Sequence, residues 1–238
     1  MLRLCDVGAT FVPSAKLARG YLKQSVLEDL KEWSPTTGTP QGAVISPLLA
    51  NIYLHPVDVS LKAAGFEMVR YADDLVILCR TEEEAQTALA LLRREMTERG
   101  LTLHPEKTRL IDVTKEGFEF LGYLFKHNYR GPRKKSVDKL KDKVRLLTPR
   151  NYGQSLDQMI GDLNGALTGW FEYFKHSSKT AFGDIDKWIR RRIRSILRRR
   201  HHGRGISRGR DHNRWPNSFF QQRGLFTLHA ARLALSQP

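Results

Sequence analysis

Residues 70–80 read RYADDLVILCR, which sets Asp73 and Asp74 side by side between Tyr71-Ala72 and a run of β-forming apolar residues. Taking a carboxylate out of water is costly unless a cation or hydrogen-bond donors meet it. The pair is therefore expected either in an exposed turn or as ligands of a hard divalent cation. Adjacent strand residues point to opposite faces, so two such carboxylates converge on one ion only where a turn breaks the alternation. The chemistry they would serve is phosphoryl transfer, in which two Mg2+ ions ~4 Å apart activate the attacking oxygen and stabilise the leaving one.

The neighbouring segments supply elements that could position the pair. MVRYA and LVILCR read as two strands meeting at the aspartates, the second too apolar along its length to have a wet face. YADD is thereby expected at a hairpin tip. Upstream, TTGTPQG at 36–42 has a loop composition, and AVISPLLANIYLHPVDVSLKAAG reads as a helix with Pro47 in its first turns and Gly65 at its end. Downstream, TEEEAQTALALLRREMTERG opens on a threonine cap and an acidic first turn, repeats apolar residues at helical spacing and stops at Gly100. TRLIDV and FEFLGYLF are expected to add short strands. The class is α+β, an antiparallel sheet with helices on one face.

Charge divides the chain. Residues 1–129 hold 15 basic and 17 acidic residues, whereas residues 130–238 hold 25 and 8. With the turn-rich basic stretch NYRGPRKKS at 128–136, this places an expected domain boundary near residue 130. The second part reads as mostly helical. Its segment around 185–200 carries an apolar stripe of Ile185, Trp188, Ile189, Ile193, Ile196 and Leu197, wrapped by arginines. Such an excess of positive charge invites a polyanion, so Arg133, Lys134, Lys135, Arg190, Arg191, Arg194, Arg198, Arg199 and Arg200 are candidate phosphate contacts. Trp170, Phe171, Tyr173 and Phe174 either stack on bases or pack a core.

Other function classes find little support. Cys5 and Cys79 stand far apart, and His201, His202 and His212 have no cysteine or acidic ligand at a fitting interval, so neither a disulfide framework nor a zinc site is indicated. No run approaches 18 apolar residues and no signal peptide is read, from which a cytoplasmic address without membrane contact is expected. A DNA-binding regulator is disfavoured because nothing resembles a helix-turn-helix or zinc finger.

RYADDLVIL, with TPQGAVISPLLANIYL before it and LTLHPEKTRLI and FEFLGYLF after it, resembles the palm of a group II intron reverse transcriptase. LNGALTGWFEYFKHSS, FGDIDKWIRRRIRSILRRRH and RWPNSFFQQRGLFTL resemble the thumb and maturase region of intron-encoded proteins that lack a C-terminal endonuclease domain. The resemblance implies a partial palm over 1–129 and a basic helical thumb/maturase domain over 130–238. It implies Asp73 as principal Mg2+ ligand with Asp74 beside it, Tyr71 and Ala72 facing the primer terminus and nucleotide, and Gln41 and Gly42 against the incoming nucleotide. Lys107 would lie near the triphosphate, and Leu121, Gly122 and Tyr123 would form the primer grip. Read without the resemblance, the same residues fit a plain loop, a solvated lysine and a core strand.

The resemblance also implies group II intron RNA, an RNA template with DNA primer, and a deoxynucleoside triphosphate as partners. One expected motif is missing: no D-x-x-x-x-F-D stands ahead of the PQG loop, and no fingers region is read. With two carboxylates in place of three, the loss is on the order of several kcal/mol in the transition state. The chain is thus expected to be a fragment that does not polymerise alone, to be completed by an N-terminal fingers/palm piece. The competing reading is a non-catalytic RNA-binding maturase that assists splicing.

Overall fold

The computed structural model describes residues 26–28, 31–33, 45–150, 153–203, 205 and 209–235. The chain forms two compact units, divided between Leu110 and Ile111.

In the first unit, β1 (Val26–Glu28) and β2 (Lys31–Trp33) form a short antiparallel pair. Helix α1 (Ser46–Ala63) starts with Pro47 in its first turn, where a missing N–H costs nothing, and ends ahead of Gly65, whose φ of 87° turns the chain out of the helix. β3 (Glu67–Tyr71) and β4 (Asp74–Leu78) follow as an antiparallel hairpin with Tyr71 opposite Asp74. Helix α2 (Glu82–Glu98) is capped by Thr81, whose side chain accepts from the Glu84 N–H, and three glutamates occupy its first turn, where the helix dipole favours them.

The hairpin presents Met68, Leu75 and Ile77 to a small core built on Val57, Leu61 and Leu92. A polar seam joins the two helices: Tyr53 donates to the Arg99 carbonyl, and Ser60 donates to Glu95 at 2.7 Å, a buried carboxylate that Arg99 also reaches at 2.7 Å.

The second unit begins with a meander of β5 (Phe118–Phe120), β6 (Tyr123–Lys126) and β7 (Tyr129–Pro132), all antiparallel. Helices α3 (Lys134–Leu147), α4 (Leu156–Phe174) and α5 (Gly183–Arg200) carry most of its core, and the short helices α6 (Gly209–Arg214), α7 (Asn217–Gln222) and α8 (Leu228–Ala234) add to it. Ser155 and Gln158 form a reciprocal capping box at the start of α4. Asp186, buried in α5, accepts from the Leu228 and His229 N–H groups and so caps α8 from another helix.

The α+β class holds, but several local expectations do not. Among the described residues the strands form three small sheets instead of one. The segment TRLIDV holds no strand, because the Asp112 carboxylate takes the Thr114 N–H and hydroxyl and so bends the chain locally. Within the turn-rich stretch NYRGPRKKS, Tyr129–Pro132 pair as β7 and Lys134 opens α3. Strand β4 does have a wet face, with Leu78 49 % exposed opposite Glu67 and Val69 half exposed beside it.

Candidate nucleic-acid and metal-binding site

Asp73 and Asp74 stand at the tip of the β3–β4 hairpin and both are exposed. The loop between the strands is the two residues Ala72 and Asp73, and Ala72 takes a φ of 54°. Tight hairpin loops of this kind favour glycine at a left-handed position, and a residue with a Cβ pays on the order of 1 kcal/mol there. What holds Ala72 is Arg70, whose Nη1 donates to the Ala72 carbonyl at 3.0 Å and to Asn51 Oδ1 at 2.9 Å. Its Nε and Nη2 meet the two oxygens of Asp58 at 2.8 and 2.6 Å. Hydrogen bonding to Asp58 outweighs burial and raises the guanidinium pKa above its ordinary value. Arg70 was not singled out from the sequence; the signal available was its place on the inner face of a strand, where an unpaired charge is unfavourable.

Two adjacent carboxylates are hard oxygen donors of the kind Mg2+ accepts, and that ion is commonly held by one or two protein carboxylates with substrate phosphates and water completing its shell. The pair fits that role. Among the described residues no group of three or more His, Cys, Asp or Glu side chains gathers here or elsewhere. Tyr71 is 66 % exposed beside the turn. Lys107 is exposed in a turn closed by the Thr108 N–H on the His104 carbonyl. Gln41 and Gly42 lie outside the described residues.

A second hairpin tip, in the second unit, joins β5 to β6 through Leu121 and Gly122, with φ values of 48° and 80°. It is fastened at both carbonyls. The Tyr173 hydroxyl donates to Leu121 O at 2.7 Å, while the Arg133 N–H and the Ser136 hydroxyl donate to Gly122 O at 2.9 and 3.2 Å. Tyr123 returns a bond to the Tyr173 carbonyl and lies with its ring tilted 53° and 4.9 Å from that of Phe174, and burial raises its phenol pKa. Of the two readings left open for Trp170-Phe171-Glu172-Tyr173-Phe174, core packing holds for Phe171 and Phe174, while Tyr173 is 56 % exposed.

The basic residues sort into two groups. Lys134, Lys135, Arg191, Arg199 and Arg200 are exposed, the last with a bond to the Gln154 carbonyl. Arg190 is half-buried, Arg133 pairs with Glu119 at 3.2 Å, and Arg198 pairs with Asp211 at 2.8 Å. Arg194 is a correction to the expected phosphate contacts. It is 3 % exposed, donates to the Trp215 carbonyl and Asn217, lies over the Phe220 ring, and is lowered in pKa by burial. Its charge serves the junction of α5 with α6 and α7.

The reverse transcriptase (RNA-dependent DNA polymerase) family matches residues 4–125, just over half of the 238-residue chain, and the group II intron maturase-specific domain matches residues 137–215. The Gag-Pro-Pol polyprotein of Mason-Pfizer monkey virus is 30 % identical over 157 residues, 62 % of this chain and 9 % of that protein. The group II intron-encoded protein LtrA of Lactococcus lactis subsp. cremoris is 48 % identical over 44 residues, 18 % of this chain and 7 % of that one. A Pol polyprotein from the type-1 retrotransposable element R2 of Nasonia vitripennis is 33 % identical over 93 residues, covering 36 % and 9 %. The chain therefore spans less than a tenth of the length of these relatives. The match over residues 4–125, which contains the twin aspartates, makes this chain a member of the reverse transcriptase family, one in which a group II intron maturase-specific domain follows.

Proposed function

We propose that the chain is the part of a group II intron reverse transcriptase and maturase that carries the carboxylate turn and the RNA-holding maturase domain. The observation that carries the reading is the order of parts: a two-residue turn presenting Asp73 and Asp74, then a fastened hairpin tip at Leu121-Gly122, then helices with exposed lysine and arginine. Asp73 and Asp74 would hold Mg2+. Bound there, the ion would neutralise phosphate charge and acidify the attacking hydroxyl.

The chain's own groups would do the rest. Tyr71 offers an exposed ring beside the turn for the primer end or the nucleotide, and Lys107 offers a cation to a departing pyrophosphate. The Leu121-Gly122 tip would meet the primer strand, Gly122 letting a backbone approach closely. Lys134, Lys135, Arg191, Arg199 and Arg200 would bind the phosphates of intron RNA or template-primer.

Polymerisation needs a further carboxylate, which the described residues do not bring to the pair. Primer extension on an RNA template with Mg2+ and deoxynucleoside triphosphates tests this. The chain alone is expected to extend nothing. Adding a polypeptide that carries the fingers and a D-x-x-x-x-F-D motif should restore templated extension, and Asp73→Asn should abolish it again. Extension by the purified chain alone would overturn the need for a partner; extension unaffected by Asp73→Asn would remove the site.

A further inference from the structure

We infer that Arg70 is a positioning residue for the carboxylate turn, a clamp that fixes the turn to helix α1 and sets how Asp73 and Asp74 face a divalent cation. The inference rests on the reading of those aspartates as cation ligands, and it adds a residue that neither the motif nor the family match assigns a role.

The geometry is that of a single guanidinium spending every arm. Nε and Nη2 hold both oxygens of Asp58, and Nη1 divides between Asn51 and the Ala72 carbonyl. Asn51 and Asp58 are seven residues apart, two helical turns, and so share one face of α1. Ala72 is the left-handed residue of the loop and the immediate neighbour of Asp73. Backbone held in a sparsely populated region persists only where its surroundings fix it. The bond from Arg70 to the carbonyl of that very residue does so.

Ladder pairing alone would not suffice. A two-stranded hairpin with one wet face is free to twist at its tip, and both strands here have exposed residues beside the turn. The Arg70 side chain is only 11 % exposed, so it is locked where Asp73 and Asp74 are not. Charge fits the same role. A guanidinium next to a cation site repels the ion unless it is neutralised, and the two-toothed pairing with Asp58 neutralises it while leaving Nη1 free to hold the turn. Lysine has neither the planar fork nor enough fixed donors to reproduce the three attachments.

Terbium(III) luminescence tests the clamp on the full chain without requiring polymerase activity. Tb3+ is a hard cation of the class carboxylates bind, and the exposed Tyr71 stands next to the turn as a sensitiser. In the wild-type chain a sensitised signal is expected that Mg2+ competes away and that the double variant Asp73→Asn, Asp74→Asn loses. Arg70→Lys should weaken Tb3+ binding about tenfold, and Asn51→Ala, which removes one exposed attachment, about threefold.

Ser60→Ala is the control: it deletes the hydrogen bond from α1 to Glu95 in the same unit, so it should lower the melting temperature and leave Tb3+ affinity unchanged. Wild-type affinity in Arg70→Lys would overturn the clamp while leaving the cation site standing. If Arg70→Lys fails to fold, unchanged affinity in Asn51→Ala overturns the clamp in its place. A signal that survives in the Asp73, Asp74 double variant would remove the cation site, and the clamp with it.

Discussion

Glu95 shows how one buried carboxylate reports on a unit's stability. Its pKa is held below the ordinary glutamate value, first by the hydrogen bond from Ser60 and then by the nearby Arg99. A carboxylate depressed by folding contributes stability that is present above its unfolded pKa and is lost as pH falls through the lower, folded value. Glu95→Gln is therefore expected to lower the melting temperature at pH 7, with the gap to wild type closing as the pH is taken below the ordinary glutamate range. A constant gap across a pH series of melting curves would show that packing, not charge, is what Glu95 contributes. At this scale the sequence is least informative about arginine. Arg194 and Arg191 read alike in RRRIRSILRRR, and only the fold reveals that one donates into the Trp215 carbonyl while the other meets water. Long aliphatic stems let arginine enter an apolar face, so periodicity alone does not separate the two.

Elements come next, and the two hairpin tips share a construction. Each sets a non-glycine residue in the left-handed region and holds its loop through carbonyl hydrogen bonds from outside the loop, Arg70 at the first and Tyr173, Arg133 and Ser136 at the second. Tyr173→Phe keeps the ring and removes one of those bonds. It should cost about 1 kcal/mol of stability and raise amide exchange at Leu121–Tyr123, while α4 itself is unaffected; unchanged exchange there would mean the Gly122 attachments suffice. Thr81→Ala at the start of α2 should also cost about 1 kcal/mol, seen as a lower melting temperature with no change in Tb3+ affinity. Helices α1 and α2 were legible because caps, proline and glycine mark their ends in the sequence. The strands were less so. TRLIDV has the apolar content of a strand, but Asp112 supplies a local hydrogen-bond acceptor that competes with any ladder. In RGPRKKS the turn-forming glycine and proline are paired strand residues of β7, and both are buried.

At the scale of the whole molecule, charge and packing divide the chain at different places. The acidic-to-basic change falls near residue 130, whereas the compact units part at Leu110 and Ile111, because β5 pairs with β6, β6 pairs with β7, and the meander packs through Tyr123 against the core of the second unit. Composition registers what an element faces; it does not register what an element pairs with. Under the proposed function, the excess charge predicts how RNA binding should depend on salt. Each phosphate neutralised releases counterions, so the logarithm of the affinity should fall linearly with the logarithm of salt, with a slope of about 0.7 to 0.9 per contact. Reversing the charge at Arg191 and Arg199, both exposed, should weaken binding at low salt and flatten that slope, leaving the melting temperature near wild type. Arg194→Ala is expected to behave the other way. It strands the Trp215 carbonyl and Asn217 in a buried junction, at a cost of roughly 2 kcal/mol, so it should lower the melting temperature and leave the slope of the folded protein unchanged. A filter-binding titration of intron RNA at several salt concentrations separates the two. If the Arg191, Arg199 variant kept the wild-type slope, those arginines would not touch phosphate, and the proposed RNA contact would have to be sought at Lys134 and Lys135 on the first turn of α3.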